Sequence, residues 1–420
     1  MLTALRNTTF RSLRHRSYRR YFLGQIVSFV GTWMQSAALM WLMYDRTGDP
    51  RWPSWLLVAQ IGPTFLLGPW GGALADRHPK RQLIVTTQTI FLLNAMALTV
   101  VMGSGFAAPL FVLALLALNG IVQAVDLPAR LAFVPDLVPK EDLINAVGLN
   151  SLVFNSARMV GPALAGALFI LANAAKPFLP DDAHPVTVAA TACFALNALS
   201  FLAVLRALRG IPEPPAHPKA AERGSIWDGL RYLRDHPAMG GLVVLTFVVC
   251  VFGWPVVTVL PAYTRLRLGL KEDAYSLLLS ALGAGALGAA LATATFGRVG
   301  RRGTFLLVGL AAGAAGMIGL GFADRTWISG ACCATIGFGL ILYLSTGQSA
   351  LQLAVPDEKR GRVMALWAMT LSASAPLGHL VVGEAVTALG VGPVLLGMGA
   401  GIVLATAAFA VMLAVRGLKA

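Results

Sequence analysis

Arg158, His379 and Glu384 are ionisable side chains set within long apolar stretches of the sequence. A charge there is costly and by default marks a functional site. Arg158 lies near the midpoint of the stretch 146–172, where it can pair with Asp126 of the preceding stretch or meet an anionic substrate. His379 and Glu384 lie five residues apart on the stretch 363–385 and could pass protons along it, since histidine titrates near neutrality. Each also has a plainer role: His379 as a hydrogen-bonded core residue, Glu384 as a side chain reaching an interface. Gln25, Trp33, Gln35, Gln60, Asn119, Gln123, Trp254, Tyr343 and Gln348 also fall inside apolar stretches. They could line a cavity for a large amphipathic molecule, or join helices by hydrogen bonds. A different cluster, Gly71-Gly72-Ala73-Leu74-Ala75-Asp76-Arg77-His78-Pro79-Lys80-Arg81, places cations and one acid between two apolar stretches.

Other chemistry has no footing in the motifs. There is no phosphate-binding P-loop, no HExxH and no Ser/His/Asp set, so neither ATP-driven work nor catalysis is expected. Gly283-Ala284-Gly285-Ala286-Leu287-Gly288 fits GxGxxG by letter, yet no strand signal precedes it and no acid follows about 20 residues on. Its glycines, like Gly309 and Gly313, are expected to pack helices. Cys193, Cys250, Cys332 and Cys333 carry no CxxC or Cys/His spacing, which argues against a disulfide frame, a metal site or a metal cofactor. The net charge of +14 comes in short clusters between apolar stretches, unlike the single basic face of a nucleic-acid binder.

These residues need a scaffold, and composition says which. With 57% hydrophobic residues, 12% charged ones and a mean hydropathy of +0.71, the 420-residue chain is an all-α polytopic membrane protein. A helix needs about 20 mainly apolar residues to cross the hydrocarbon core. That rule predicts twelve spans, at 21–44, 52–75, 83–102, 109–125, 146–172, 188–205, 239–263, 275–296, 304–322, 327–348, 363–385 and 392–415. With the N-terminus cytoplasmic, 25 of the 33 Lys and Arg fall on the cytoplasmic side, 7 on the other, and Arg158 inside a span. The positive-inside rule therefore predicts both termini in the cytoplasm. A basic arm (1–20), which opens a retained first span rather than a cleaved signal peptide, precedes a six-helix half (21–205). A Pro-rich linker (206–237), a second six-helix half (238–415) and a short tail (416–420) follow.

The halves echo each other. Arg77, Lys80 and Arg81 recur as Arg298, Arg301 and Arg302, 221 residues on, and Val138-Pro139-Lys140-Glu141 is answered by Val355-Pro356-Asp357-Glu358 at an offset of 217. Two such offsets near half the chain point to an internal duplication.

Gly72-x-Leu74-Ala75-Asp76-Arg77-x-x-Lys80-Arg81-x-Leu83 resembles the signature between helices two and three of the major facilitator superfamily, with Pro79 for its second glycine and Gly297 for the acid in the second copy. The stretch Asn155-Ser156-Ala157-Arg158-Met159-Val160-Gly161-Pro162-Ala163-Leu164-Ala165-Gly166 resembles the Gly-Pro motif of its proton-antiporting exporters, with Ala157 and Ala165 in place of two glycines. The opening, Phe10-Arg11-Ser12-Leu13 with Arg19-Arg20-Tyr21-Phe22 and Gly31-Thr32-Trp33-Met34-Gln35, is similar to the enterobactin-exporter and bacterial drug-efflux branch. The resemblance implies a monomer of the bacterial inner membrane that exports a small amphipathic molecule, siderophore or drug-like, against inward proton flow. An importer or a lysolipid translocator of the same fold is the alternative. It also implies a cytoplasmic latch in which Asp76 lies against the start of helix eleven near Arg362, while Lys80 faces Asp126, with Arg77, Arg81 and Arg130 beside them. Gly161 and Pro162 would give close approach and a kink in helix five.

Overall fold

A backbone N–H or C=O left without a partner in hydrocarbon costs several kcal/mol, so a chain this apolar is driven to satisfy its backbone within helices. The computed structural model describes residues 10–104, 108–213, 226–296 and 302–416, and among them there is no strand. The first half holds α1 (Arg16–Thr47), α2 (Arg51–Arg77), α3 (Lys80–Gly103), α4 (Pro109–Leu137), α5 (Lys140–Ala174) and α6 (Pro185–Arg209). The second holds a short α7 (Ile226–Asp235), then α8 (Pro237–Gly253), α9 (Val256–Leu266), α10 (Glu272–Phe296), α11 (Arg302–Phe322), α12 (Thr326–Ala354), α13 (Asp357–Leu389) and α14 (Val391–Val415).

Proline sets many of the starts. Pro109, Pro185 and Pro237 occupy first-turn positions, where a missing N–H removes no helical hydrogen bond. Pro79, Pro139 and Pro356 stand just before α3, α5 and α13. Between α13 and α14 the chain turns at Gly390, whose φ of 81° lies in the region that only glycine enters at little cost.

Among the described residues, eleven stretches are long and apolar enough to cross a membrane, Pro237–Leu266 counting as one. The stretch 52–75 expected as a further span lies within α2, a continuous 27-residue helix in which Gln60, Pro63, Gly68, Pro69, Gly71 and Gly72 dilute the apolar content. The expected span 239–263 is not one rod: α8 ends at Gly253, and α9 begins at Val256 after Trp254 and Pro255. Within the expected linker 206–237, α7 forms a helix and Asp228 on it pairs with Arg362 of α13 at 3.2 Å. Gly297, Arg298 and Arg301 of the second motif copy, linker residues 214–225, Arg6 and Lys419 lie outside the described residues.

The chain groups into two compact units: Met1–Met43 with Ala59–Lys219, and Tyr44–Val58 with Ala220–Ala420. In the first, α3 packs on α4 and α6, and α5 on α6. A core of Tyr18, Tyr21, Ile84, Phe133, Leu149 and Val204 gathers near its arm-bearing end, with Tyr21 edge-on to Phe133 at 5.4 Å. In the second, α12 packs on α10 and α11, and α14 on α8 and α11. Its helices meet through small residues. A Cβ on Gly285 would strike the Ala334 carbonyl, and one on Gly339 the backbone of Gly313, so the GxGxxG stretch is a helix-packing surface.

The N-terminal arm is clasped to the start of α5. Arg11 and His15 both bind the carboxylate of Asp142, the latter at 2.7 Å, while Ser12 bonds Asn145 through its hydroxyl (2.6 Å) and its N–H (2.9 Å). These hydrogen bonds, the one from His15 foremost, outweigh desolvation and hold the Asp142 carboxyl below the ordinary carboxylate range. A depressed acid contributes stability above its unfolded-state pKa and loses it as pH falls through the folded value, so the clasp opens on acidification rather than at neutral pH. Asp142→Asn is expected to speed tryptic cleavage after Arg14, Arg16 and Arg19 at pH 7, read by mass spectrometry. Cleavage at the wild-type rate would mean that the arm is held elsewhere.

Candidate functional site

The polar core of the first unit is built around Asp126, fully buried on α4. From α3, Thr87 donates its hydroxyl to Oδ1 at 2.6 Å and Gln88 its amide at 3.1 Å. Arg130, one turn on along α4, donates Nε to Oδ2 at 2.5 Å, and its NH1 reaches Gln25 Oε1 on α1 at 2.6 Å. The Arg130 guanidinium also lies 5.3 Å from the Phe29 ring centroid. Three helices thus solvate one ion pair where water cannot.

Lys80 does not face Asp126, as expected for the latch. Its Nζ pairs with Asp136 Oδ2 at 2.8 Å and with the Ala132 carbonyl at 3.1 Å. The cause is antiparallel register: with Thr87 opposite Asp126, Lys80, seven positions earlier on α3, lies opposite about position 133 on α4, where its side chain reaches Ala132 and Asp136. Arg81 bonds the Leu208 carbonyl at the end of α6 through Nε (2.8 Å), and its N–H donates to Glu213 at 3.1 Å. Asp76 and Arg77 are exposed at the end of α2. Arg362, the partner expected for Asp76, is engaged by Asp228 of α7.

Arg158 is 94% buried in α5. Its guanidinium lies 5.2 Å from the Trp33 ring centroid on α1, and Phe154, one turn earlier on α5, stands edge-on to the same ring at 5.9 Å. Gly161 makes this contact geometry feasible. A Cβ there would sit 2.6 Å from Trp33 Cβ and 2.8 Å from Met34 N, so α1 and α5 approach as closely as backbones allow. Helix α5 runs unbroken through Pro162. Asp126 is bound by Thr87, Gln88 and Arg130, and the contacts of Arg158 include the face of an indole.

The second unit has its own polar group where the end of α1 and start of α2 meet α9 and α13. Arg51 grips Asp49 at 2.8 Å and reaches Glu384 at 3.7 Å. Asp45 pairs with Arg265 at 2.5 Å. One turn past Arg51, Ser54 bonds Thr258, which lies 3.3 Å from His379 Nδ1. A Cβ on Gly383 would sit 2.8 Å from the Ser54 side chain, which explains the small residue there. Glu384, 57% exposed at its side chain, is therefore part of a rim pair, while His379 is buried among hydroxyls five residues deeper.

Several expected cavity residues serve as joints instead. Gln35 accepts from Asn197 of α6 at 2.8 Å, and Tyr343, fully buried, meets Thr246 of α8 at 2.8 Å. Gln60 offers its backbone: a Cβ on Gly120 would strike its carbonyl. Gln123 is half-buried on α4, and Gln348 is exposed on α12. Two features suit a ligand. The side-chain oxygen of Asn119 is buried with no hydrogen-bond partner among the described residues, and Trp254 stands in the break between α8 and α9. Broken helices carry unpaired backbone groups, which are stable at membrane depth only where protein or a lined cavity receives them.

Asn197, Thr87 and Thr258 were not foreseen, because a lone hydroxyl or amide in an apolar stretch gives no sign of which neighbour it faces. Asp136 had a usable signal: it lies at the very end of the apolar stretch, as Lys80 does at the start of the next one.

A major facilitator family model described as transmembrane secretion effector matches residues 7–420. Among curated relatives, the staphyloferrin A transporter of Staphylococcus aureus is 26% identical over 367 residues, covering 86% of this chain and 87% of its own. The enterobactin exporter of Citrobacter koseri is 25% identical over 360 residues, covering 84% and 81%. Among solved structures, the nucleoside transporter NupG superposes with a TM-score of 0.71 at 13% identity, over 94% of this chain and 98% of its own. A bacterial homologue of the iron transporter ferroportin, inward-facing, gives 0.70 at 17% identity, over 94% and 98%. These structures speak to the fold alone.

Removing one partner of a buried pair costs about 3 kcal/mol or more, whereas a pair open to water is worth up to about 1 kcal/mol. Asp126→Asn is thus expected to lower the thermal midpoint in detergent well beyond Asp357→Asn, whose carboxylate is 86% exposed in its pair with Arg360. Equal shifts would mean that the Asp126–Arg130 pair is not the buttress of this unit.

Proposed function

Because the chain belongs to the major facilitator superfamily, in the branch of secretion effectors and siderophore transporters, we propose that it exports a small amphipathic molecule, siderophore or drug-like, by proton antiport with alternating access. The observation that carries this is Arg158: a guanidinium buried at mid-helix against the face of Trp33. A cation held by an aromatic face in a water-poor site favours an anionic, ring-bearing or chelating ligand, for which it supplies both charge and a flat apolar wall. Asn119 and the break at Trp254 supply further polar and aromatic contacts within their own units. The secretion model and the enterobactin exporter's name support export over uptake.

The remaining charges are gating parts on this account. Both termini lie in the cytoplasm of a bacterial cell, which puts Asp76, Arg77, Lys80–Asp136 and Arg81 at the inner end of the bundle. Helix α2 is then the twelfth span. Asp45–Arg265, Arg51–Glu384 and the Ser54–Thr258–His379 chain lie at the outer end, where they open as the transporter cycles. Proton entry runs through His379, the one titratable side chain of this outer group buried within a span.

Cells lacking the protein should accumulate the fluorescent siderophore or drug that it exports. Arg158→Gln, present in the membrane at the normal amount, should lose most of the efflux, and Arg158→Lys should retain more of it. Wild-type efflux by Arg158→Gln would contradict the assignment.

A further inference from the structure

The first unit also carries a site unrelated to Arg158. At its arm-bearing end a groove of about 690 Å³ opens between α1 and α6, lined by Arg20, Arg206 and Arg209 around Leu23, Ala203 and Ala207. That volume is typical of small-molecule sites, which span roughly 300–1,000 Å³. No acid lines the groove, and Arg206 and Arg209, both exposed, have no acidic partner among the described residues. Arg20 is fixed across the end of α6, its NH1 donating to the Gly210 carbonyl at 2.7 Å.

The groove has a rigid base. A Cβ on Gly24 would lie 3.2 Å from Ala207 Cβ, and one on Gly31 2.7 Å from Asn197 Oδ1, so α1 and α6 stay in contact along this seam. Directly along both helices from the arginines run exposed apolar side chains. These are Leu23 and Val27 on α1, with Leu202 and Leu199 on α6, where Arg206 to Leu199 is seven residues or about 10 Å of helix. Three cations at the mouth of a groove that continues as a greasy seam match one ligand class: a phosphodiester headgroup with acyl chains attached. The last-turn arginines also complement the dipole of α6, but that effect needs neither the groove nor the seam.

We propose that Arg20, Arg206 and Arg209 form a binding site for an anionic phospholipid, the phosphate on the guanidiniums and the acyl chains along Leu23, Val27, Leu199 and Leu202. Basic pockets between transmembrane helices at the membrane surface bind such headgroups. The site is independent of the transported molecule and of transport direction.

Native mass spectrometry of the delipidated full chain in detergent, titrated with phosphatidylglycerol or phosphatidylcholine of matched acyl chains, tests this. Phosphatidylglycerol should be retained at least about five-fold more strongly, with roughly a five-fold loss for each arginine replaced in Arg206→Gln and Arg206→Gln/Arg209→Gln. Arg206→Lys/Arg209→Lys should keep most of the binding, and Arg416→Gln, an exposed charge at the end of α14, all of it. Equal retention of the two lipids by the wild-type chain overturns the proposal without any variant, as does undiminished phosphatidylglycerol binding by a folded double Gln variant. Millimolar inorganic phosphate should not displace the lipid; displacement would make the groove a site for a free anion.

Discussion

A charge inside hydrocarbon has no water to solvate it, so the protein must supply every hydrogen bond that water would have made. The buried carboxylate of Asp126 shows what this requires: Thr87 and Gln88 from one helix and Arg130 from its own, with Gln25 from a third holding the arginine. Three helices are committed to one ion pair, and the packing of the first unit is arranged to bring them together. The same rule governs the second unit, where Asp45, Arg51 and Glu384 are paired at a rim and His379 is set among hydroxyls. Arg158 adds a contact these groups lack, the face of the Trp33 ring against its guanidinium.

Close approach is the complementary constraint. Gly161 against Trp33, Gly31 against Asn197 and Gly383 against Ser54 each allow two backbones to come within reach of a short polar side chain or a ring. Small residues and short polar side chains act together here: the glycine sets the distance at which Asn197 meets Gln35 or Ser54 meets Thr258. Dispersion and hydrogen bonding take over the work that burial from water does in a soluble core.

Fold class, the positions of most of the long apolar helices and the burial of Arg158 were legible in the sequence because hydropathy and charge are one-dimensional properties of a stretch. The break at Gly253-Trp254-Pro255 was less so, since a proline inside an apolar stretch can kink a helix or end it, and which occurs depends on neighbours. Partner identities were the least legible. Lys80 to Asp136 and Thr87 to Asp126 depend on the register of α3 against α4, which a motif shared across a superfamily does not specify. Glu384 could be placed near an interface from its position in the stretch, but its partner Arg51 lies more than three hundred residues away in sequence.

The central claim is that Arg158 carries the substrate's negative charge while the other buried charges hold the frame. Uptake of a carboxylate siderophore and of its methyl ester into inverted proteoliposomes, under an imposed pH gradient, addresses it directly. The wild-type protein should favour the free carboxylate, and Arg158→Gln should transport the two at similar rates, slow but measurable, with its thermal midpoint unchanged. A preference for the carboxylate that survives in Arg158→Gln would place the anion site elsewhere and contradict the account.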